Sequence, residues 1–347
     1  MLLYRFYYTI IPIALQARFR AFAPGFILIL FALARRRAAC YNSAVNRITS
    51  EKSKKILAHV YALFSVAVWA SCYVVTQNLL DAGLEPTQIA PVRMALAYVV
   101  LLCMRPKFVR LPVKDELMFL LLGVTGGSLY FYFQNTALDI SEQSASVSII
   151  ISLTPLFTII LAKLFRRSSE PLGALVWIGS AVAVVGAVLV ILNGSLRFDI
   201  SPAGDLLALA AGLSWAFYSI LIRPYAASMD SFLVTRRVMF YAFLTAVPLM
   251  LFTAGMPDLT PLFTQPKVLL SWIFLAVLGN AVCFALWNIA FDRLGVVVTN
   301  NYLYASPFVT VIVGWIALGE VPSWLSLLGA ALITCGVVLA QQKKKQA

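Results

Sequence analysis

Ten long apolar runs separated by short polar breaks divide the chain between residues 57 and 341. They fall near 57–78, 86–104, 115–137, 144–164, 171–192, 205–224, 231–254, 268–290, 296–318 and 322–341. Each approaches the roughly 20 residues that a helix needs to cross a hydrocarbon core about 30 Å thick. They lack period-2 alternation, which argues against a membrane β-barrel. The pattern predicts an all-α polytopic membrane protein with ten transmembrane helices. Composition agrees: 61% of the 347 residues are hydrophobic and only 12% are charged, about half the charge of a water-soluble domain.

The apolar pattern carries a second signal, because much of it occurs twice. Phe131, Asn135, Ala137 and Asp139 return at one constant offset as Phe284, Asn288, Ala290 and Asp292. Thr154-Pro155-Leu156-Phe157-Thr158 returns as Ser306-Pro307-Phe308-Val309-Thr310. Glu170, Gly179 and Gly186 return as Glu320, Gly329 and Gly336. The division falls in the polar stretch 193–202, with one repeat at 57–194 and the other at 205–341. Five helices per repeat is an odd number, so the second half enters the membrane from the opposite side. The two repeats are therefore read as inverted about an axis in the membrane plane, as in carriers with a shared central site.

The net charge of +13 suggests a nucleic-acid partner until the cations are placed. Nineteen of the 27 Lys and Arg lie beside one alternate set of loops. They include Arg35–Arg37 and Lys52, Lys54 and Lys55 before the first run, then Arg105, Lys107, Arg110 and Lys114. Lys163, Arg166 and Arg167 follow further along, and Lys343–Lys345 lie in the basic tail at 342–347. The opposite loops hold Arg197 and Lys267. This asymmetry places both ends of the ten-helix core in the cytoplasm, and it makes a nucleic-acid partner unnecessary. The bilayer is the expected partner, the cell (inner) membrane the expected location, and a homodimer is left open.

Residues 1–56 stand outside the repeat. Their apolar run, Ala21 to Ala34, spans 14 residues between basic flanks, too short to cross comfortably. An interfacial helix and a start codon assigned too early both remain open readings. The five cysteines, Cys40, Cys72, Cys103, Cys283 and Cys335, show no CxxC spacing. They read as packing residues, with neither a disulfide framework nor a metal site. No cofactor is expected.

Spans 1–5 and 6–10 resemble the paired domains of EamA-type transporters in the drug/metabolite transporter superfamily. The residues that carry the resemblance are Trp69-Ala70 and Trp215-Ala216, then Ser152 to Thr158 and Ala305 to Thr310. Glu170-Pro171 and Gly319-Glu320, with glycines nine and sixteen residues after each Glu, complete it. The resemblance implies ten helices and carrier-type transport, commonly export of amino acids or other small metabolites, and leaves the substrate open.

All 14 carboxylates lie at or near expected helix ends or in loops, and the single histidine, His59, is expected at the cytoplasmic start of the first span. Proton relays need a titratable group within the membrane. A facilitator or exchanger is therefore more economical than proton coupling. Lacking an acid, base or metal cluster, the chain is not read as an enzyme.

Arg93 lies seven residues into span 2, about 10 Å deep. It is read as an anchor for a substrate carboxylate or phosphate, against the plainer alternatives of a bond to backbone carbonyls or snorkelling. Arg237 lies at matching depth in span 7 and is a candidate gate, while Arg236 is expected to snorkel. Ser144, Ser148 and Ser152 share one face leading to Pro155, and Asn300 and Tyr304 lead to Pro307. Both prolines are candidate helix breaks. Trp69, Tyr73, Gln134, Trp215, Tyr218 and Asn280 are further candidates for the substrate site. Cation–π contact with an ammonium is one role for the two tryptophans. Asn135 and Asn288, near expected helix ends, read as caps, and the paired glycines as close helix contacts.

These readings converge on a small polar metabolite, an amino acid or relative, moved outward by alternating access. A carrier of sugars or nucleotide-linked metabolites, a passive channel and a non-transporting scaffold are the alternatives.

Overall fold

A computed structural model describes residues 51–141, 144–165, 173–192, 201–306, 308–309, 312 and 323–341. Among them every regular element is helical. The long helices are α1 (Glu51–Leu80), α2 (Pro86–Met104), α8 (Pro202–Ser228) and α9 (Ser231–Thr253). Between them lie α3 (Val113–Gly123) and α4 (Leu129–Ser141), joined without a break by a π-helical turn, Val124–Ser128. The fourth apolar run is not one helix: α5 (Ser144–Ile151) and α6 (Thr154–Leu164) are separated at Ser152–Leu153. Pro155, in the first turn of α6, has no N–H to continue the helical ladder. α7 (Ala174–Leu192) follows.

In the second half, α10 (Thr260–Thr264) precedes α11 (Pro266–Ile273), which continues through a longer π-helical segment, Phe274–Val282, into α12 (Cys283–Leu294). α13 (Val296–Asn300) tightens into a 3₁₀ stretch, Asn301–Ala305, just before Pro307, itself outside the described residues. α14 (Trp324–Gln341) ends the described chain. Proline opens α2, α8 and α11, where its missing N–H is not needed. The Asp230 carboxylate caps α9 by accepting from the N–H groups of Phe232 and Leu233.

Among the described residues six helical stretches are long and apolar enough to cross a bilayer. Large apolar side chains cover the outside as well as the core: Phe252, Trp324, Leu164 and Leu206 are exposed. Such a surface suits lipid and not water.

The halves interlock. The most extensive packing joins α7 to α14, α2 to α9, α4 to α8 and α1 to α12. Glycines set the first of these contacts. A Cβ on Gly179 would lie 2.5 Å from the carbonyl oxygen of Gly336, and one on Gly186 would lie 2.6 Å from that of Gly329. Rising numbers on α7 meet falling numbers on α14, so the two helices run antiparallel.

Candidate functional site

Arg93 is 1% exposed and lies among the largest wholly buried side chains. Its Nη2 donates to Asn280 Oδ1 at 2.6 Å, and its guanidinium covers the Phe131 ring at 4.2 Å. Nε and Nη1 have no partner. The π-helical segment explains how Asn280 reaches it. A π turn shifts the register of the residues it contains and releases carbonyls from the ordinary ladder. One released carbonyl, that of Gly279, accepts from Trp69 Nε1 at 2.8 Å. Gly279 also has to be small, because a Cβ there would lie 3.0 Å from Cys72 Sγ and 3.3 Å from Arg93 Nη2. The first half repeats the device: Ser214 Oγ donates to the Thr125 carbonyl of the shorter π turn at 2.7 Å.

Beside Arg93 stands an aromatic cluster. Trp69 meets Trp215 edge-on with centroids 5.2 Å apart. Trp215 also meets Phe284 at 5.2 Å and Tyr130 at 5.1 Å, and Tyr130 meets Phe131 at 4.9 Å. Trp215 is 3% exposed, and its Nε1 has no partner. Opposite lies a hydroxyl wall at the α5–α6 break, with Ser148 Oγ 3.5 Å from Ser306 Oγ. There Thr154 Oγ1 donates to the Ile151 carbonyl at 2.6 Å, a carbonyl that Pro155 cannot serve.

These residues enclose one cavity lined from both halves of the chain. Arg93, Trp69, Tyr73, Gln134, Ser148, Ser152 and Trp215, all read as candidates from the sequence, line it. Its free volume of about 40 Å³ admits about three waters.

Other candidates sit outside that wall. Asn280 stands behind it and holds Arg93. The Tyr218 hydroxyl donates to Asn288 Oδ1 at 3.3 Å, and Asn300 Nδ2 donates to Thr158 Oγ1 at 2.8 Å. Tyr304 is wholly buried against Ser180. Asn135 and Asn288 do not cap helix ends: Asn135 Nδ2 donates to the Pro86 carbonyl and Asn288 Nδ2 to Thr235 Oγ1, each at 3.0 Å. They tie neighbouring helices together, because both lie further inside their helices than run length suggested. His59 lies two turns into α1, with Nδ1 2.6 Å from the Tyr302 hydroxyl. Among the described residues no group of three His, Cys, Asp or Glu could hold a metal ion.

The sequence reading passed over Cys72, Phe131, Thr154, Phe284 and Ser306 as cavity residues. Phe131 and Phe284 are equivalent positions in the repeat, and that pairing was the signal available for them. Cys72 had none, since a small thiol in an apolar helix resembles filler.

Arg236 and Arg237 lie away from the cavity and fasten the loop between α2 and α3. Arg236 does not snorkel outward: it is 6% exposed and donates to the Arg105 and Lys107 carbonyls. Arg237 donates to the Val109 carbonyl and pairs with Glu116, which also accepts from the Tyr241 hydroxyl at 2.7 Å. Losing one or two charge-assisted bonds costs about 1.5–3 kcal/mol each, and a chain of 347 residues shifts about 1–2 °C per kcal/mol. Arg237→Met is accordingly expected to lower the melting temperature by several degrees and leave ligand affinity unchanged. A loss of transport with stability and ligand affinity unchanged would instead support Arg237 as a gate.

Two stretches of the chain, residues 56–192 and 202–341, match the EamA-like transporter family. A "Probable terminal-alkyne amino-acid exporter" of Streptantibioticus cattleyicolor is 30% identical over 83% of this chain and 95% of its own. An uncharacterized transporter of Bacillus subtilis is 27% identical over 80% of this chain and 89% of its own. One solved crystal structure, 20% identical, superposes with a TM-score of 0.64 over 84% of this chain and 97% of that one, which shows a shared fold. With family matches in both halves, apolar spans and a buried cavity between them, this multi-pass membrane transporter belongs to the EamA-like transporter family.

Proposed function

We propose that the protein exports a small polar metabolite, an amino acid or a related carboxylate, across the cell (inner) membrane by alternating access. The observation that carries this reading is Arg93, a buried cation with two partnerless nitrogens in a cavity lined from both halves. A permanent charge in that setting is costly unless it serves a ligand or a water path. A carboxylate is the simplest group that answers it. The naming of one relative as an amino-acid exporter is in keeping with this.

Ten helices in two inverted repeats are the arrangement we infer. It is supported by the matching π-helical segments, the two helix breaks and the crossed glycine contacts of α7 with α14. The cation-rich loops favour a cytoplasmic location for both ends of the core. A nucleotide-linked or phosphorylated substrate is less well served, since Arg93 is the sole cation lining the cavity among the described residues.

Counterflow in proteoliposomes tests the reading. Vesicles preloaded with unlabelled neutral amino acids should draw in the labelled compound transiently against its gradient, and uptake should saturate. A passive channel gives neither behaviour, and a scaffold moves nothing.

A further inference from the structure

We infer that the cavity is a carboxylate site indifferent to the substrate's amino group, with Trp215 as a second donor beside Arg93. The inference rests on the proposed Arg93 anchor and narrows it to a substrate class. Monocarboxylates with an apolar body load whether the neighbouring carbon bears an ammonium, a carbonyl or a hydroxyl.

The unpaired atoms of the wall set the chemistry. Among the described lining residues, the side-chain N and O atoms sealed from solvent without a partner are Arg93 Nε, Arg93 Nη1 and Trp215 Nε1. All three are donors. Asn280 occupies Nη2 and so fixes the guanidinium. The other cavity tryptophan is already committed, because Trp69 Nε1 serves the Gly279 carbonyl. Trp215 differs in having its N–H left over in a buried site, where an unmade hydrogen bond is expensive. A carboxylate answers one edge of the guanidinium, using Nε or Nη1 with the second hydrogen of Nη2, and its remaining lone pairs suit the Trp215 N–H.

An ammonium finds no counter-charge. No carboxylate lines the cavity among the described residues, and Arg93 is the charge closest to hand. Like charges in a site poor in water repel strongly. The aromatic faces are also engaged. Arg93 covers Phe131, and Trp215 is contacted by Trp69, Tyr130, Tyr218 and Phe284. Val66, Ile151 and Leu303 supply the surface for an apolar body.

The test uses purified full-length protein and matched pairs: alanine with pyruvate, leucine with 4-methyl-2-oxopentanoate, and phenylalanine with phenylpyruvate. Leucinamide serves as the control without a carboxylate. Thermal stabilisation and calorimetric titration are read for wild type and for Trp215→Phe, which keeps an aromatic ring and removes the N–H. The oxo acid of at least one pair is expected to bind within about threefold of its amino acid or more tightly, and leucinamide not at all. Trp215→Phe should weaken both members of that pair by about tenfold or more. If only the amino acids bind, the inference falls and the Arg93 anchor survives. If leucinamide binds as well as leucine, the Arg93 anchor itself falls. Binding by none of the six acids overturns both. A folded Trp215→Phe that binds both members as wild type does removes Trp215 as a donor and overturns that part of the inference; should the variant fail to fold, the wild-type pairs still decide the indifference to the amino group.

Discussion

Arg93→Met is expected to abolish transport while leaving the protein folded. Two charge-assisted hydrogen bonds to a substrate carboxylate are worth about 1.5–3 kcal/mol each, or about 10²–10⁴-fold in affinity together. Stability should hardly move, because two terms oppose each other. Removing a buried cation that has no ionic partner relieves a desolvation cost. Against that, Asn280 Oδ1 loses the donor it holds at 2.6 Å, at about 1–3 kcal/mol. Methionine also retains an apolar contact with the Phe131 face that Arg93 covers. A melting temperature within a few degrees of wild type, together with lost uptake, is the expected pair of results.

Arg93→Lys separates charge from geometry. Lysine supplies a compact ammonium in place of a planar fork, and one ammonium cannot reproduce the bond to Asn280 and serve a ligand as guanidinium does. Partial activity is expected, between wild type and Arg93→Met. Wild-type transport by Arg93→Met would sink the anchor and leave the cavity without a reason for its cation.

Much of this site is legible in the sequence for one reason. Polar and aromatic side chains in the middle of apolar runs stand out, and Arg93, Trp69, Trp215, Gln134 and the serines before Pro155 are such residues. What escapes is whatever depends on local register. Asn280 lies in a π-helical segment, and a count at 3.6 residues per turn cannot see the extra residue that aims it at Arg93. Asn135 and Asn288 are misread as caps because run length locates helix ends only loosely. Phe131 and Phe284 look like any lipid-facing phenylalanine until the fold brings Arg93 over one and Trp215 against the other. The interlocking of α2 with α9 and of α7 with α14 is a long-range fact with no local cue beyond the repeated glycines.

Those glycines give the second large effect, this time on stability. A Cβ on Gly179 would lie 2.5 Å from both the Ala340 nitrogen and the Gly336 oxygen, and one on Gly186 would lie 2.7 Å from the Ile333 nitrogen. The neighbours are backbone atoms, which cannot swing aside as a side chain would. Close approach of helix backbones is also what holds membrane helices together where burial from water adds little. Gly179→Ala is expected to cost about 1–3 kcal/mol by overpacking, and Gly179→Leu more, enough to prevent recovery of monodisperse protein. Gly173→Ala is the control, since no atom lies within 4 Å of the added carbon. Gly179→Ala with Gly336→Ala should cost less than the two separately, because the first substitution already parts the helices. The proposed inverted repeat adds a further requirement. Gly179 and Gly329 are equivalent positions, as are Gly186 and Gly336, so alanine should cost the same within each pair. Costs that group by helix, with Gly179 like Gly186 and Gly329 like Gly336, would argue against a twofold relation at this contact.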